Sequence, residues 1–194
     1  MEIIKRIEKL KIEFSENTIT RKNGTILLEP NTIPNCRHML FIPLTQEYAN
    51  NFLIDEYKNN FPDEYLRFLF YTNGANLFNV KLNIQGFGIA HPLLVVFGLP
   101  LTPPLSRTQD AEEPFDLRIE DLARHKDIPD TWIKCGTYTK DYNFDIQNDI
   151  FIDTTSNHVF SCPKNQKNII NNWSSLDDCL CDIFDSFSDC KFEY

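Results

Sequence analysis

A chain of 194 residues has the length of one globular domain and can bury roughly 70% of the surface its unfolded form exposes. Hydrophobic residues make up 42% and charged residues 24%, with 16 Phe, which excludes disorder by composition. The formal charge of −9 comes from two short segments, 107–121 (−4) and the last 21 residues (−5); with no basic stripe, nucleic-acid binding is excluded and a basic partner protein is favoured.

The opening Met1–Glu8 mixes charged and apolar residues at once, so it does not read as a secretory leader. The longest apolar stretch, Ile89 to Leu101, is broken by His91, Pro92, Gly98 and Pro100, short of the ~20 residues of a membrane span. A cytoplasmic location is expected, with Cys36, Cys135, Cys162, Cys179, Cys181 and Cys190 as thiols. Their spacing lacks paired Cys-x-x-Cys units or a finger-spaced His, so no structural metal is expected.

Ile3, Ile4, Ile7, Leu10 and Ile12 recur among charges at helical intervals and predict an amphipathic opening helix. Lys22-Asn23-Gly24-Thr25 reads as a turn between short strands at Thr18–Thr20 and Thr25–Leu28. A loop from Pro30 to Pro34 follows, then a helix over 45–59 with Tyr48, Phe52 and Tyr57 toward the core. The best-punctuated element is Phe61–Gly74. Pro62 suits the first helical position, Asp63 and Glu64 answer the dipole, Tyr65, Phe68, Leu69 and Thr72 share a face, and Gly74 closes the helix.

Strand-like runs follow at Asn76–Leu82 and Ile84–Ala90, then a proline-rich passage and the acidic stretch Asp110–Asp121, ending in a short helix near Ile119–His125. Trp132–Tyr138, Asp149–Asp153 and His158–Cys162 read as three further strands. The last helix is the clearest: Ser174 is the expected N-cap, and Leu176, Cys179, Leu180, Ile183, Phe184 and Phe187 repeat at helical spacing. Without strict strand–helix alternation, the class is α+β, one domain with a largely antiparallel central sheet flanked by helices.

Signatures of catalysis are missing from the sequence: it has no phosphate loop, no His-Glu-x-x-His and no Gly-x-Ser-x-Gly elbow. Gly86-Phe87-Gly88 meets His91 where a dinucleotide fingerprint needs glycine. His38, His91, His125 and His158 lack partners at motif spacing. His158 beside Asp153 or Cys162 reads as a structural strand histidine, and Asp141, Asp145, Asp149 and Asp153 as turn acids without the glycine and glutamate of a calcium loop. The chain is therefore expected to be non-enzymatic, without cofactor or metal.

Asp178, Asp182, Asp185 and Asp189 fall at i, i+4, i+7 and i+11 of the last helix. Like charges at that spacing destabilise a helix by ~0.2–0.5 kcal/mol per pair, and acids late in a helix oppose its dipole. Stability does not select such a ridge. Its two readings are a solvated acidic face and a docking ridge for a basic partner, with Asp110, Glu112 and Glu113 as a second acidic patch.

Phe61–Ala75 resembles the hallmark of the SUKH superfamily (Smi/Knr domain), in which a Leu-Pro-x-x-Tyr-x-x-Phe-Leu helix runs into Asn-Gly-Gly. Ile128-Pro129-Asp130 with Trp132–Gly136, Asp149–Asp153 with His158–Phe160, and Trp173–Phe184 resemble later family elements in order. The resemblance covers about 45–187. Ala75 replaces the second glycine, 1–44 is an N-terminal extension of helix and short strands, and 92–115 is longer than usual. The resemblance implies a non-enzymatic binding protein: in bacterial members an immunity protein that neutralises a cognate polymorphic toxin, often a nuclease; in fungal members a regulator of cell-wall synthesis. A regulatory scaffold or small-ligand-binding domain, with 92–115 as lid or docking arm, is the alternative.

Overall fold

The computed structural model describes residues 1–21, 24–28, 38–50, 60–78, 82–84, 128–139, 147–164 and 166–188. They form an α+β fold with nine strands: β1 (Thr18–Thr20), β2 (Ile26–Leu28), β3 (His38–Leu40), β4 (Ala75–Leu77), β5 (Leu82–Ile84), β6 (Trp132–Thr139), β7 (Gln147–Asp153), β8 (Val159–Pro163) and β9 (Asn171–Trp173). Each strand pairs antiparallel with the next, so chain order and spatial order coincide. Among the described residues the long helices are α1 (Glu2–Glu13), α2 (Asp63–Tyr71) and α3 (Leu176–Ser188), with a short helical turn at Gln46–Tyr48. None of the described helices is long and apolar enough to cross a membrane.

Register explains where the core sits. Ile26, Leu40, Ala75, Ile84, Gly136 and Ile150 occupy one continuous cross-strand row. Side chains alternate faces along a strand, so this row lies on one face. Leu40, Ala75, Ile84 and Ile150 share their core with Ile3 and Ile7 of α1, Tyr65, Phe68 and Leu69 of α2, and Leu176, Leu180 and Phe184 of α3. All three helices thus pack on that face. Ile3 and Ile7 are fully buried, each worth about 1.5–3 kcal/mol of transfer energy, so the opening helix is an integral part of the core. Phe151, Phe160 and Cys162 form a second cluster with Trp132; Phe151 lies between Ile150 and Ile152 and therefore on the opposite face. A bulge between Lys134 and Gly136 re-aims β6.

Several expectations need correction. The run Asn76–Leu82 is not one strand: the chain leaves β4 at Phe78, whose φ is 54°, and returns as β5 from Leu82. Pro62 is the N-cap residue, with α2 starting at Asp63. Gly74 (φ 94°) does not close that helix. Thr72 ends it in an extended conformation, and Gly74 forms a turn beyond, its N–H donating to the Thr72 carbonyl at 2.7 Å. This turn ties α2 to the segment after β3, since Gly74 O accepts from Phe41 N at 3.2 Å and Leu69 O accepts from Leu44 N at 2.9 Å. Strands β3 and β9 fall where the sequence pattern predicts no strand. Of the expected 45–59 helix, residues 51–59 lie outside the described residues, as do 85–127 with the proline-rich and acidic passages.

Candidate partner-binding surface

Helix α3 begins where its capping chemistry dictates. Ser175, one residue later than expected, is the cap: its Oγ accepts the Asp178 N–H at 3.0 Å. The Ser174 hydroxyl donates to the Asp178 carboxylate instead, and both serine contacts hold Asp178 below the usual carboxylate range. Asp177 points elsewhere and accepts the first backbone N–H groups of α1, from Glu2 at 2.6 Å and Ile3 at 2.9 Å. Two orphan donors of α1 are thereby satisfied across 174 residues of sequence.

The four-acid ridge is divided by the packing of α1 against α3. Asp185 is half-buried and accepts two hydrogen bonds from Arg6, from Nε at 2.9 Å and Nη2 at 2.8 Å. It is therefore not available as a free docking charge, because the fork-on-carboxylate geometry already matches it to an internal cation. Asp178 and Asp182 remain exposed, and Asp182 accepts the indole N–H of Trp173 at 3.0 Å. Asp189, Asp110, Glu112 and Glu113 lie outside the described residues.

Beside these acids runs β9, bonded among the described residues to β8 alone. Ile169 and Ile170, which lead into it, are 52% and 46% exposed. Trp173 closes β9 and, through Asp182, ties that edge to α3. The sequence signal was present, two adjacent β-branched residues in the polar stretch Lys164–Asn172, but only the topology makes them an edge.

On the far side of α3's start, a cleft of about 470 Å³ opens between α2, the β7–β8 turn and Leu176. Asp63, Glu64, Arg67, Thr154 and Asn157 supply its polar lining. Glu64 turns its Oε2 to the Leu176 N–H at 2.7 Å. Asp153 next to this turn accepts from Thr155 and Ser156; burial raises its pKa, but these hydrogen bonds outweigh it and hold the carboxyl below its usual range. His158 meets Asp153 through the backbone, its carbonyl accepting the Asp153 N–H at 3.0 Å.

Cys135, Cys162, Cys179 and Cys181 are free thiols. Burial pushes Cys162 and Cys181 up to about 11 and raises Cys135 and Cys179 as well. At neutral pH all four are un-ionised, the unreactive form.

Compared with known proteins, the chain matches no family model, no curated protein and no solved structure.

Proposed function

We propose that this chain is a non-enzymatic binding protein of the immunity kind, which neutralises a cognate basic toxin by direct contact in the cytoplasm. The observation that carries the reading is the division of the α3 acids. Asp177 and Asp185 are matched to internal donors, whereas Asp178 and Asp182 face solvent and, among the described residues, are met by neutral donors, Ser174 and Trp173. Exposed charge with no cation beside it among the described residues raises the encounter rate with an oppositely charged surface. The SUKH-like run from Phe61 to Gly74 supports the same reading by resemblance, and so does the −9 charge of the chain.

The test is coexpression with the toxin encoded by the neighbouring gene. Restored growth together with a complex on gel filtration is the expected result; neither rescue nor complex discards the proposal. Asp178→Lys with Asp182→Lys slows association while circular dichroism stays native. Unchanged association kinetics would remove the ridge from the interface.

The cleft favours a second reading, a regulatory domain that takes a small polar ligand. Arg67 is exposed there, and among the described residues it forms no ion pair with Asp63 one turn earlier, although that spacing suits one. Thermal shift against a panel of charged metabolites, with Arg67→Ala as control, separates the two readings.

A further inference from the structure

We infer that the β9 edge, residues 169–173, is a docking edge onto which an extended strand of a basic partner adds antiparallel or parallel to Asn171–Trp173. This inference rests on the binding-protein reading and specifies its surface.

A terminal strand leaves one row of backbone N–H and C=O groups unmatched, which is the template for strand addition. Proteins ordinarily blunt such an edge with lysine, proline or an inward charge. Ile169-Ile170-Asn171-Asn172-Trp173 contains none of these; the nearest charge, Lys167, lies two residues before it. Single exposed isoleucines are commonplace, but here two adjacent ones, 52% and 46% exposed, lead into an edge that no described strand covers. The shortness of β9 is itself a protective device, yet pairing starts before the strand, with Ile170 N donating to Ser161 O at 2.9 Å.

Charge selects the occupant. Trp173 closes the edge and holds Asp182 beside it at 3.0 Å, and Asp178 stands one helical turn away on the same helix. An incoming strand with alternating apolar and basic residues turns its cations to the α3 face, toward these carboxylates, and its apolar side chains to the other face of the edge. The opposite edge, β1, also exposes Ile19 but is not tied to the α3 acids.

The test uses the full chain and two decapeptide probes, (Lys-Val)5 and its charge control (Glu-Val)5, read by calorimetry and amide hydrogen exchange. The expected result is binding of the lysine peptide alone, with slowed exchange at 169–173. Asn172→Pro, which removes a backbone donor on an edge position, and Ile169→Ser with Ile170→Ser each weaken it by about tenfold, the effect of one lost hydrogen bond or anchor. Two variants of different kind guard against misfolding in either. No binding of (Lys-Val)5, protection elsewhere, or wild-type affinity in both variants overturns the edge. Self-association of the chain with protection of 169–173 overturns the basic partner in favour of a second copy. If the peptide binds at the edge while the neighbouring toxin does not bind at all, the immunity reading fails and the docking edge stands.

Discussion

The Glu64 carboxylate on α2 accepts the backbone N–H of Leu176, the first residue of α3, at 2.7 Å. One helix thus caps another, while α3 in turn caps α1 through Asp177. The relay fixes the three helices relative to one another before any apolar contact is counted. Losing an N-cap acceptor costs about 0.5–2 kcal/mol, so Glu64→Ala lowers the midpoint of urea unfolding by an amount in that range. Glu64→Gln keeps an acceptor oxygen and recovers most of it; equal losses for Ala and Gln would show that the contact does not stabilise the fold.

Asp177→Ala removes the acceptor of two α1 donors and frays the opening turn. Amide exchange over residues 2–7 accelerates, and stability falls by about 1 kcal/mol. Faster exchange must appear in α1, not at the start of α3 where the substitution sits; acceleration confined to 176–180 would refute the cross-helix cap.

Within the α3 acids the roles differ, and stability measurements separate them. Asp185→Ala leaves Arg6 without its fork partner; because both groups are partly exposed, the loss is about 1 kcal/mol or less. Asp182→Ala leaves an exposed indole N–H that water satisfies, so its effect on stability is within about 0.5 kcal/mol. A larger loss at Asp182 than at Asp185 would reverse the division on which the binding surface rests.

What the sequence conveys here is periodicity and punctuation. The faces of α1, α2 and α3 follow from 3.6-residue spacing, and Tyr65, Phe68, Leu69 and Thr72 are buried together as expected. Strands β6, β7 and β8, of eight, seven and five residues, are legible because they carry β-branched and aromatic residues between polar turns. Strands β3 and β9 have three residues each, too few for a period, and exist because neighbouring strands offer hydrogen bonds. The ridge was legible as a spacing of carboxylates, but Asp185's engagement depends on Arg6, 179 positions away, and no local pattern encodes that pairing. Ser174 and Ser175 are chemically equivalent as caps; only the geometry selects the second.

The Glu8–Tyr71 contact makes a pH prediction on both sides of neutrality. The Tyr71 hydroxyl donates to Glu8 at 2.6 Å and Lys11 donates to the same oxygen at 2.9 Å. Hydrogen bonds from Tyr71 and then Lys11 hold the Glu8 carboxyl below its usual range; burial, then the bond to Glu8, raises Tyr71. A depressed carboxyl contributes stability above its unfolded pKa of about 4.3, and that contribution disappears as pH falls through the lower folded value. A raised phenol contributes below its unfolded pKa of about 10, and the contribution is lost as pH climbs from there toward the folded value. Tyr71→Phe therefore flattens the fall in melting temperature below pH ~4 and above pH ~10. Wild-type slopes at both ends in the variant would exclude the pair as their source.

Phe78 sets two costs against each other. Its backbone is in the left-handed region at φ 54°, costing about 1–3 kcal/mol for a bulky residue. Its ring is 2% exposed and makes edge contacts with Phe184 and His38 at 4.9 Å each. Truncating a buried Phe costs about 3–5 kcal/mol, so packing wins and the strained conformation persists. Both Phe78→Ala and Phe78→Gly are then destabilised, but glycine adopts positive φ without penalty, so the Gly variant unfolds at a higher urea concentration than the Ala variant. That order inverts the usual ranking of these residues. If Ala proves the more stable, the turn between β4 and β5 does not hold position 78 in the left-handed conformation, and burial alone accounts for the choice of phenylalanine.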